Sequence, residues 1–507
     1  MLPTIKKILP LTITAITLSL TACQSPSVTP TKATLMQSDT ALQFNPNQYQ
    51  SIMVQADGQS IMVRAYQNIV YVANPVDKTH QSMNVYVPEN YFLGKTVGRF
   101  DAHTAPIFMP NAVGGYMPAK PMTVGKGRDG QPNSLAMALV QGYVVASAGA
   151  RGRTLQDEQG QYIGKAPAAI VDLKAAVRYL KANDKLMAGR ADRIIVNGTS
   201  AGGAMTALLG ATGNQSDYQD ELDKVGAAKA SDEVFAVSSY APILNLENAD
   251  AAYEWQFFGI NHYNKMSISM LDYQVKRTLV PSVLTDDEQK LSMQLKDAFP
   301  SYVNALNLVG RQGGRLTLNH QGLGSFKDEV LSYLNDSANQ AYHQGVDLSA
   351  YPFMAQHKSK NPYYIDNYPE FLANYVGRSK AAPAFDGVAL DRGENQLFGN
   401  QTINHRHFTQ FSQANSTIVG ATMADALTIK MMNPMAYLDH QHSGIAPHWR
   451  IRHGAKDSDT SFAIPVILAT RLQNLGKQVD FKMVWNQGHG GDYDLPELFA
   501  WIEQTVK

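Results

Sequence analysis

Four short apolar runs restrict this chain to a buried, largely parallel sheet: Pro106-Ile-Phe-Met109, Gly142-Tyr-Val-Val-Ala-Ser147, Arg193-Ile-Ile-Val-Asn197 and Val234-Phe-Ala-Val-Ser-Ser239. Runs this short and this apolar suit strands covered on both faces. Between the second and third, Pro167–Leu180 places Ala169, Ile170, Leu173, Val177 and Leu180 at helical spacing. Strands alternating with such helices predict an α/β fold. Upstream, Ser51–Gln55, Ser60–Arg64, Ile69–Val72 and Met83–Val87 read as strands, the first two joined at Asp57-Gly58 in a hairpin. From Trp255 to Asp439 the chain is rich in Asn, Gln, Met and Tyr, with helical segments near Tyr273–Val283, Gln289–Leu295 and Phe326–Leu334 but few strong strands. A mostly helical insertion over the carboxyl ends of the strands is expected there. The sheet resumes at His448–His453 and Phe481–Trp485, with helices at Phe462–Leu475 and Leu495–Gln504.

Hydrophobic residues make up 44% and charged residues 17% of the 507 positions, enough for a large core. Lys plus Arg equals Asp plus Glu at 43 each, so the basic excess that would recommend a nucleic-acid partner is missing. At the N-terminus, Lys6 and Lys7 precede the apolar run Ile8–Leu20. That run is shorter than the ~20 residues a membrane-spanning helix needs and reads as an export signal. It ends in Leu20-Thr21-Ala22-Cys23, and Cys23 is the only cysteine, so no internal disulfide can form. The position of Cys23 after small residues resembles the lipobox of bacterial lipoproteins, which implies cleavage before Cys23 and its lipidation. Gln24, in place of an aspartate, implies sorting to the outer membrane. Acyl chains would tether the mature chain with about 0.8 kcal/mol per buried CH₂. The expected division is a signal peptide over 1–22, the lipidated cysteine and a flexible linker over 23–45, and a first part of the α/β domain over 46–255. An inserted domain that covers the strand ends as a lid follows over 256–439, and the second part of the α/β domain spans 440–507. No obligate protein partner is implied.

The chemistry is concentrated where the third apolar run ends. Gly198-Thr-Ser200-Ala-Gly202-Gly203 is a G-x-S-x-G motif between a strand and the helix-compatible Ala204–Leu209. In that context it reads as the nucleophile elbow of an α/β-hydrolase, with Ser200 raised on a strained turn. Chain order in this fold is Ser, then acid, then His. Of 13 histidines only His489, in Asn486-Gln-Gly-His-Gly-Gly-Asp492, follows the last predicted strand, and its flanking glycines allow close approach to another loop. His440, His442, His448 and His453 precede or occupy the strand before and are read as local hydrogen-bonding or surface groups. The acid should follow that strand, where Asp457 and Asp459 both qualify; the second could instead cap the next helix. The backbone N–H of Ala201 and those of Gly114 and Gly115, in the loop after the first apolar run, are the candidate oxyanion donors. Gly125–Gly130 lacks the GK[ST] ending of a phosphate loop, and no H-E-x-x-H or paired-cysteine spacing supports a metal, so no cofactor is expected.

At these residues the chain resembles the bacterial tannases, tannin acyl hydrolases that cleave gallic acid esters. The resemblance spans most of the mature chain: the Asn111–Gly115 loop, the Gly198–Gly203 elbow, Asn245–Trp255, Arg452–Asp459 and His489–Trp501. In that family the triad acid is followed two residues later by another aspartate and 32 residues later by the histidine, a pattern that Asp457, Asp459 and His489 match. The resemblance thus implies Asp457 for the triad and Asp459 for substrate recognition. It also implies a lysine and a glutamate 14 residues apart that bind aromatic hydroxyls, matched by Lys380 and Glu394; composition alone would make each a surface charge. The expected substrate is a small phenolic ester. A feruloyl or other phenolic-acid esterase would keep Ser200 and His489 without needing Lys380, Glu394 and Asp459. A serine peptidase would also use the triad but recognise a charged terminus or an amide side chain.

Overall fold

The computed structural model describes residues 42–127, 130–271 and 274–507. Cys23, the leader, most of the linker, and Arg128 and Asp129 of the Gly125–Gly130 loop lie outside them. Nine strands form one sheet: β1 (Gln50–Ala56), β2 (Gln59–Val70), β3 (Ser82–Pro88), β4 (Pro106–Pro110), β5 (Val144–Ala148), β6 (Arg190–Thr199), β7 (Ala236–Tyr240) and, after a long insertion, His448–Gly454 and Gln478–Val484. Their spatial order is β1-β2-β3-β5-β4-β6-β7, then His448–Gly454, then Gln478–Val484. The β1–β2–β3–β5 pairings are antiparallel, and every pairing from β5 onward is parallel.

Two physical causes account for this architecture. Every residue of β4, β5 and β7 is buried. Because successive side chains point to opposite faces, such strands are covered on both sides. The β1–β2 hairpin turns on Asp57 (φ 48°) and Gly58 (φ 69°), with Ala56 opposite Gln59, the left-handed pair that a two-residue connection requires. The helices expected around the sheet form as α1 (Ala168–Ala182), α2 (Ala201–Ala211), Ala463–Asn474 and Leu495–Thr505.

The insertion between β7 and His448–Gly454 is helical with two small sheets. Its main helices are α3 (Leu246–Phe257), α4 (Asp286–Ala305) and α5 (Ser325–His343). The helix expected near Tyr273–Val283 is instead a strand: β9 (Gln274–Val283) pairs antiparallel with β8 (His262–Leu271), and Tyr273 lies outside the described residues. Thr278, Val280 and Val283 are β-branched, and Pro281 would remove a helix-interior hydrogen bond. In a two-stranded ribbon both strands have a free edge, where a proline is tolerated. A second ribbon joins Met354–Gln356 to Tyr363–Ile365. Among the described residues no helix is long and apolar enough to cross a membrane.

Candidate active site

Ser200 follows the last residue of β6 and precedes the first residue of α2, with φ 63° and ψ −124°. Its N–H donates to Tyr240 O at 2.9 Å, and its carbonyl accepts from Ala204 N–H and Ile243 N–H. The elbow's glycines are required for space. A Cβ on Gly198 would lie 2.4 Å from Gly202 O, one on Gly202 2.7 Å from both Asn111 Oδ1 and Val113 O, and one on Gly203 2.6 Å from Tyr240 O. Neighbouring backbone therefore presses on the turn from three directions and holds the serine at its positive φ.

His489 Nε2 is 2.8 Å from Ser200 Oγ, and its Nδ1 is 2.9 Å from Asp457 Oδ2. Asp457 sits just past His448–Gly454, completely buried, while His489 sits just past Gln478–Val484. All three groups thus stand at the carboxyl ends of parallel strands of one sheet, Ser200 after β6 and the other two after the neighbouring pair His448–Gly454 and Gln478–Val484, with β7 between, where open α/β sheets place their sites. Burial works to raise Asp457, yet the neighbouring imidazoles and the hydrogen bonds from His489 and Asp459 N–H bring it below the usual carboxylate range. Burial likewise works to lower His489, but Asp457, by charge and hydrogen bond, and Asp459 hold it above the ordinary imidazole value against the opposing Lys380.

The glycines flanking His489 act differently from expectation. Gly488 and Gly490 have open space where a Cβ would stand; the close approach is made by Gly491, whose Cβ would meet Thr199 Oγ1 at 2.0 Å, and by Gly454, facing Gln487 O at 2.3 Å. Of the rival histidines, His448 bonds Gln478 and His442 lies against Gln215. His440 is exposed. His453 is neither a surface group nor hydrogen-bonded: it is fully buried 3.7 Å from Asp457 Oδ2, with no hydrogen-bond partner on either ring nitrogen, and burial pushes it down.

A cavity of about 230 Å³ opens on the nucleophile, walled by Gly115, Tyr116, Ser200, Ala201, Ile243, Lys380, Glu394, Asp459 and His489. A separate cavity of about 170 Å³ beside Trp255, Phe258 and Tyr368 holds neither nucleophile nor catalytic base. Ala201 is the first residue of α2, where backbone N–H groups have no partner within the helix. From the facing loop the wall takes Gly115 and Tyr116; Gly114 is not part of it and accepts Met117 N–H through its carbonyl. Lys380 donates from Nζ to the backbone carbonyl of Asp459 at 2.7 Å and lies 4.0 Å over the Phe385 ring. Buried Tyr253, on α3, ties the two segments: its hydroxyl donates to Ser458 O at 3.0 Å and accepts the N–H groups of Ser379 and Lys380. Glu394 projects from the single-turn helix Gly393–Leu397. Among the described residues, Asp457, Asp459 and His489 are also the acids and imidazole placed closely enough to share an ion, all within 4.8 Å, although the one nitrogen facing the carboxylates already serves Asp457.

Tyr116 and Ile243 were not singled out from the sequence. They join the site because the Tyr116 hydroxyl donates to Ile243 O at 2.6 Å, a contact across 127 positions that no local pattern announces. Asn111 is a further hidden part: its amide donates to Asn197 O and Gly202 O and its Oδ1 accepts Val113 N–H, which stitches the facing loop to the elbow.

Residues 125–281 match the family model described as BD-FAE. No curated protein matches the chain. Among solved structures, the crystal structure of Fusobacterium nucleatum tannase is 49% identical over 92% of this chain and 99% of that one, with a TM-score of 0.87. The tannase from Lactobacillus plantarum in an orthorhombic crystal is 44% identical over 92% of this chain and 100% of that one, TM-score 0.87. A tannin acyl hydrolase in complex with ethyl gallate is 44% identical over 92% and 99%, TM-score 0.85. With identity of this order over nearly the whole of each relative, the chain belongs to the bacterial tannase, or tannin acyl hydrolase, family of carboxylic ester hydrolases within the α/β-hydrolase superfamily.

Proposed function

We propose that this enzyme hydrolyses galloyl esters, alkyl gallates and hydrolysable tannins, to gallic acid and an alcohol through a galloyl-Ser200 intermediate. Ser200 Oγ attacks the galloyl carbonyl while His489 Nε2 takes its proton, and Asp457 stabilises the imidazolium. The tetrahedral oxyanion is held by Ala201 N–H and by an N–H of the Gly115 loop. His489 then protonates the departing alcohol and next activates a water that releases gallate. Asp459 and Glu394 accept hydrogen bonds from the ring hydroxyls, and Lys380 donates to them. One observation carries this reading: Lys380, Glu394 and Asp459 wall the same cavity of about 230 Å³ as Ser200 and His489, two carboxylates and an ammonium beside the nucleophile.

The test is gallic acid release from methyl gallate by the purified chain, with methyl ferulate and methyl benzoate assayed alongside. Gallate turnover that far exceeds the other two, and vanishes in Ser200→Ala, supports the reading. Equal or preferred ferulate turnover retains a serine esterase and removes the gallate assignment.

We propose further that Ile8–Leu20 acts as an export signal and that Cys23 is lipidated, which would anchor the enzyme to the bacterial outer membrane; the support is the sequence Leu20-Thr21-Ala22-Cys23-Gln24. Labelled fatty acid incorporated by the expressed chain and lost in Cys23→Ser supports this; equal fractionation of the two forms with soluble protein refutes it.

A further inference from the structure

Arg153 lies five residues beyond β5, outside the cavity wall, and touches both sides of it. Its backbone N–H donates to Tyr116 O at 2.9 Å and its Nε–H to Gly115 O at 2.8 Å. Its Nη1 donates to Gln396 Oε1 on the helix that carries Glu394. The guanidinium also lies flat against Gly393: a Cβ there would come within 3.2 Å of Arg153 Cζ. The segment around it is packed without slack, since a Cβ on Gly152 would lie 2.2 Å from the Met117 carbonyl carbon. Among the described residues no carboxylate stands within ion-pair distance of Arg153; its hydrogen bonds go to neutral oxygen acceptors, and Glu394 acts on its charge from farther off.

Those contacts matter because Gly115 and Tyr116 both have left-handed backbone, φ 54° and 56°. A tyrosine in that region is strained and needs external restraint. A guanidinium presents several N–H donors in a rigid fork and can grip two elements at once; an ammonium is a point donor that cannot span them.

Building on the proposed galloyl-ester reading, we propose that Arg153 is a positioning residue that holds the oxyanion loop and the Glu394 helix in one register. The donor that meets the oxyanion and the carboxylate that meets the ring hydroxyl are thereby set by a single side chain. Its loss therefore impairs two steps separately, turnover through the Gly115 arm and ring discrimination through the Gln396 arm.

The experiment compares Arg153→Met, Arg153→Lys and Gln396→Leu in the full chain, each with a melting curve. The readouts are kcat on p-nitrophenyl acetate and the ratio of kcat/KM for methyl gallate over methyl benzoate. Because complete removal of an oxyanion donor costs about 10²–10³ in kcat, displacement of one by Arg153→Met is expected to cost about tenfold or more. The gallate ratio should fall as well, by about tenfold. Arg153→Lys should recover part of kcat without restoring the ratio, and Gln396→Leu should lower the ratio while leaving p-nitrophenyl acetate turnover near wild type. In a Glu394→Gln background, Arg153→Met should lower the ratio no further, since both changes act on one group. If Arg153→Met keeps both readouts within twofold, or Gln396→Leu leaves the ratio untouched, the proposal is overturned. Should Arg153→Met fail to fold, Arg153→Lys and Gln396→Leu decide. A wild-type enzyme with no gallate preference defeats the galloyl-ester reading instead, and p-nitrophenyl acetate still reports on the Gly115 arm.

Discussion

Asp459 donates its backbone N–H to Asp457 Oδ1 at 2.9 Å while its side chain reaches the cavity wall. The residue that orients His489 and the residue that meets the substrate are therefore held by one turn. Asp457 Oδ1 takes the loop's N–H and Oδ2 takes the imidazole, so both oxygens of this buried carboxylate are occupied. A carboxylate buried this completely keeps its charge only with such partners.

Removing the nucleophile should end turnover. Ser200→Ala is expected to lower kcat on methyl gallate by about 10⁴-fold or more, and Asp457→Asn by about 10⁴-fold through loss of the correct imidazole tautomer. Stopped-assay chromatography of released gallate measures both. Residual activity above one per cent in Ser200→Ala would remove it from the nucleophile's place.

The acid side of the pH profile should be set by His489. The base must be unprotonated, and its pKa lies above the ordinary imidazole value because Asp457 and Asp459 outweigh burial. kcat/KM is then full at alkaline pH and falls, as pH drops, through a midpoint above that of an ordinary imidazole. Asp459→Asn withdraws one negative neighbour and should move that midpoint downward. An unmoved midpoint would mean that the Asp459 charge is screened from the imidazole.

Discrimination among acids should reside in the insertion. Lys380→Met or Glu394→Gln is expected to reduce the methyl gallate to methyl benzoate ratio by about 10–100-fold, the worth of one hydrogen bond to a charged group. Turnover of methyl benzoate, which has no hydroxyl to lose, should change much less. Paired kcat/KM measurements check this, and equal losses on both esters would make these residues structural supports.

Elbow packing can be tested without touching a reacting group. Gly202→Ala forces a Cβ to 2.7 Å from Asn111 Oδ1 and Val113 O. Overpacking of this kind costs about 1–3 kcal/mol. Thermal denaturation should show a lowered Tm, with kcat reduced because the wedge displaces Ser200. An unchanged Tm would show that the Asn111 loop yields.

The sheet and the elbow were legible in the sequence because local pattern carries them: apolar strands of fixed length, a helical period, and glycines around one serine. His489 was legible by chain order. The β8–β9 ribbon was not, since Gln274–Val283 spaces its apolar residues in a way that fits both periods, and Pro281 and the β-branched residues had to outweigh it. The bracing glycines near the histidine were misplaced for a related reason: which glycine is crowded depends on Thr199, nearly 300 positions earlier. Lys380 and Glu394 came from family resemblance alone, because only tertiary folding carries them to Ser200. Tyr116, Asn111 and Arg153 left no trace in local pattern; each acts through contacts with distant backbone.

Lys380 is fastened to the main-chain carbonyl of Asp459 and not to its carboxylate. That carbonyl survives any substitution at position 459, so the ammonium keeps its seat while the neighbouring side chain changes. Two members of the ring-binding wall can therefore vary independently, and an evolving lineage or a designer could retune acid preference at position 459 one mutation at a time without first dismantling the lysine's anchorage.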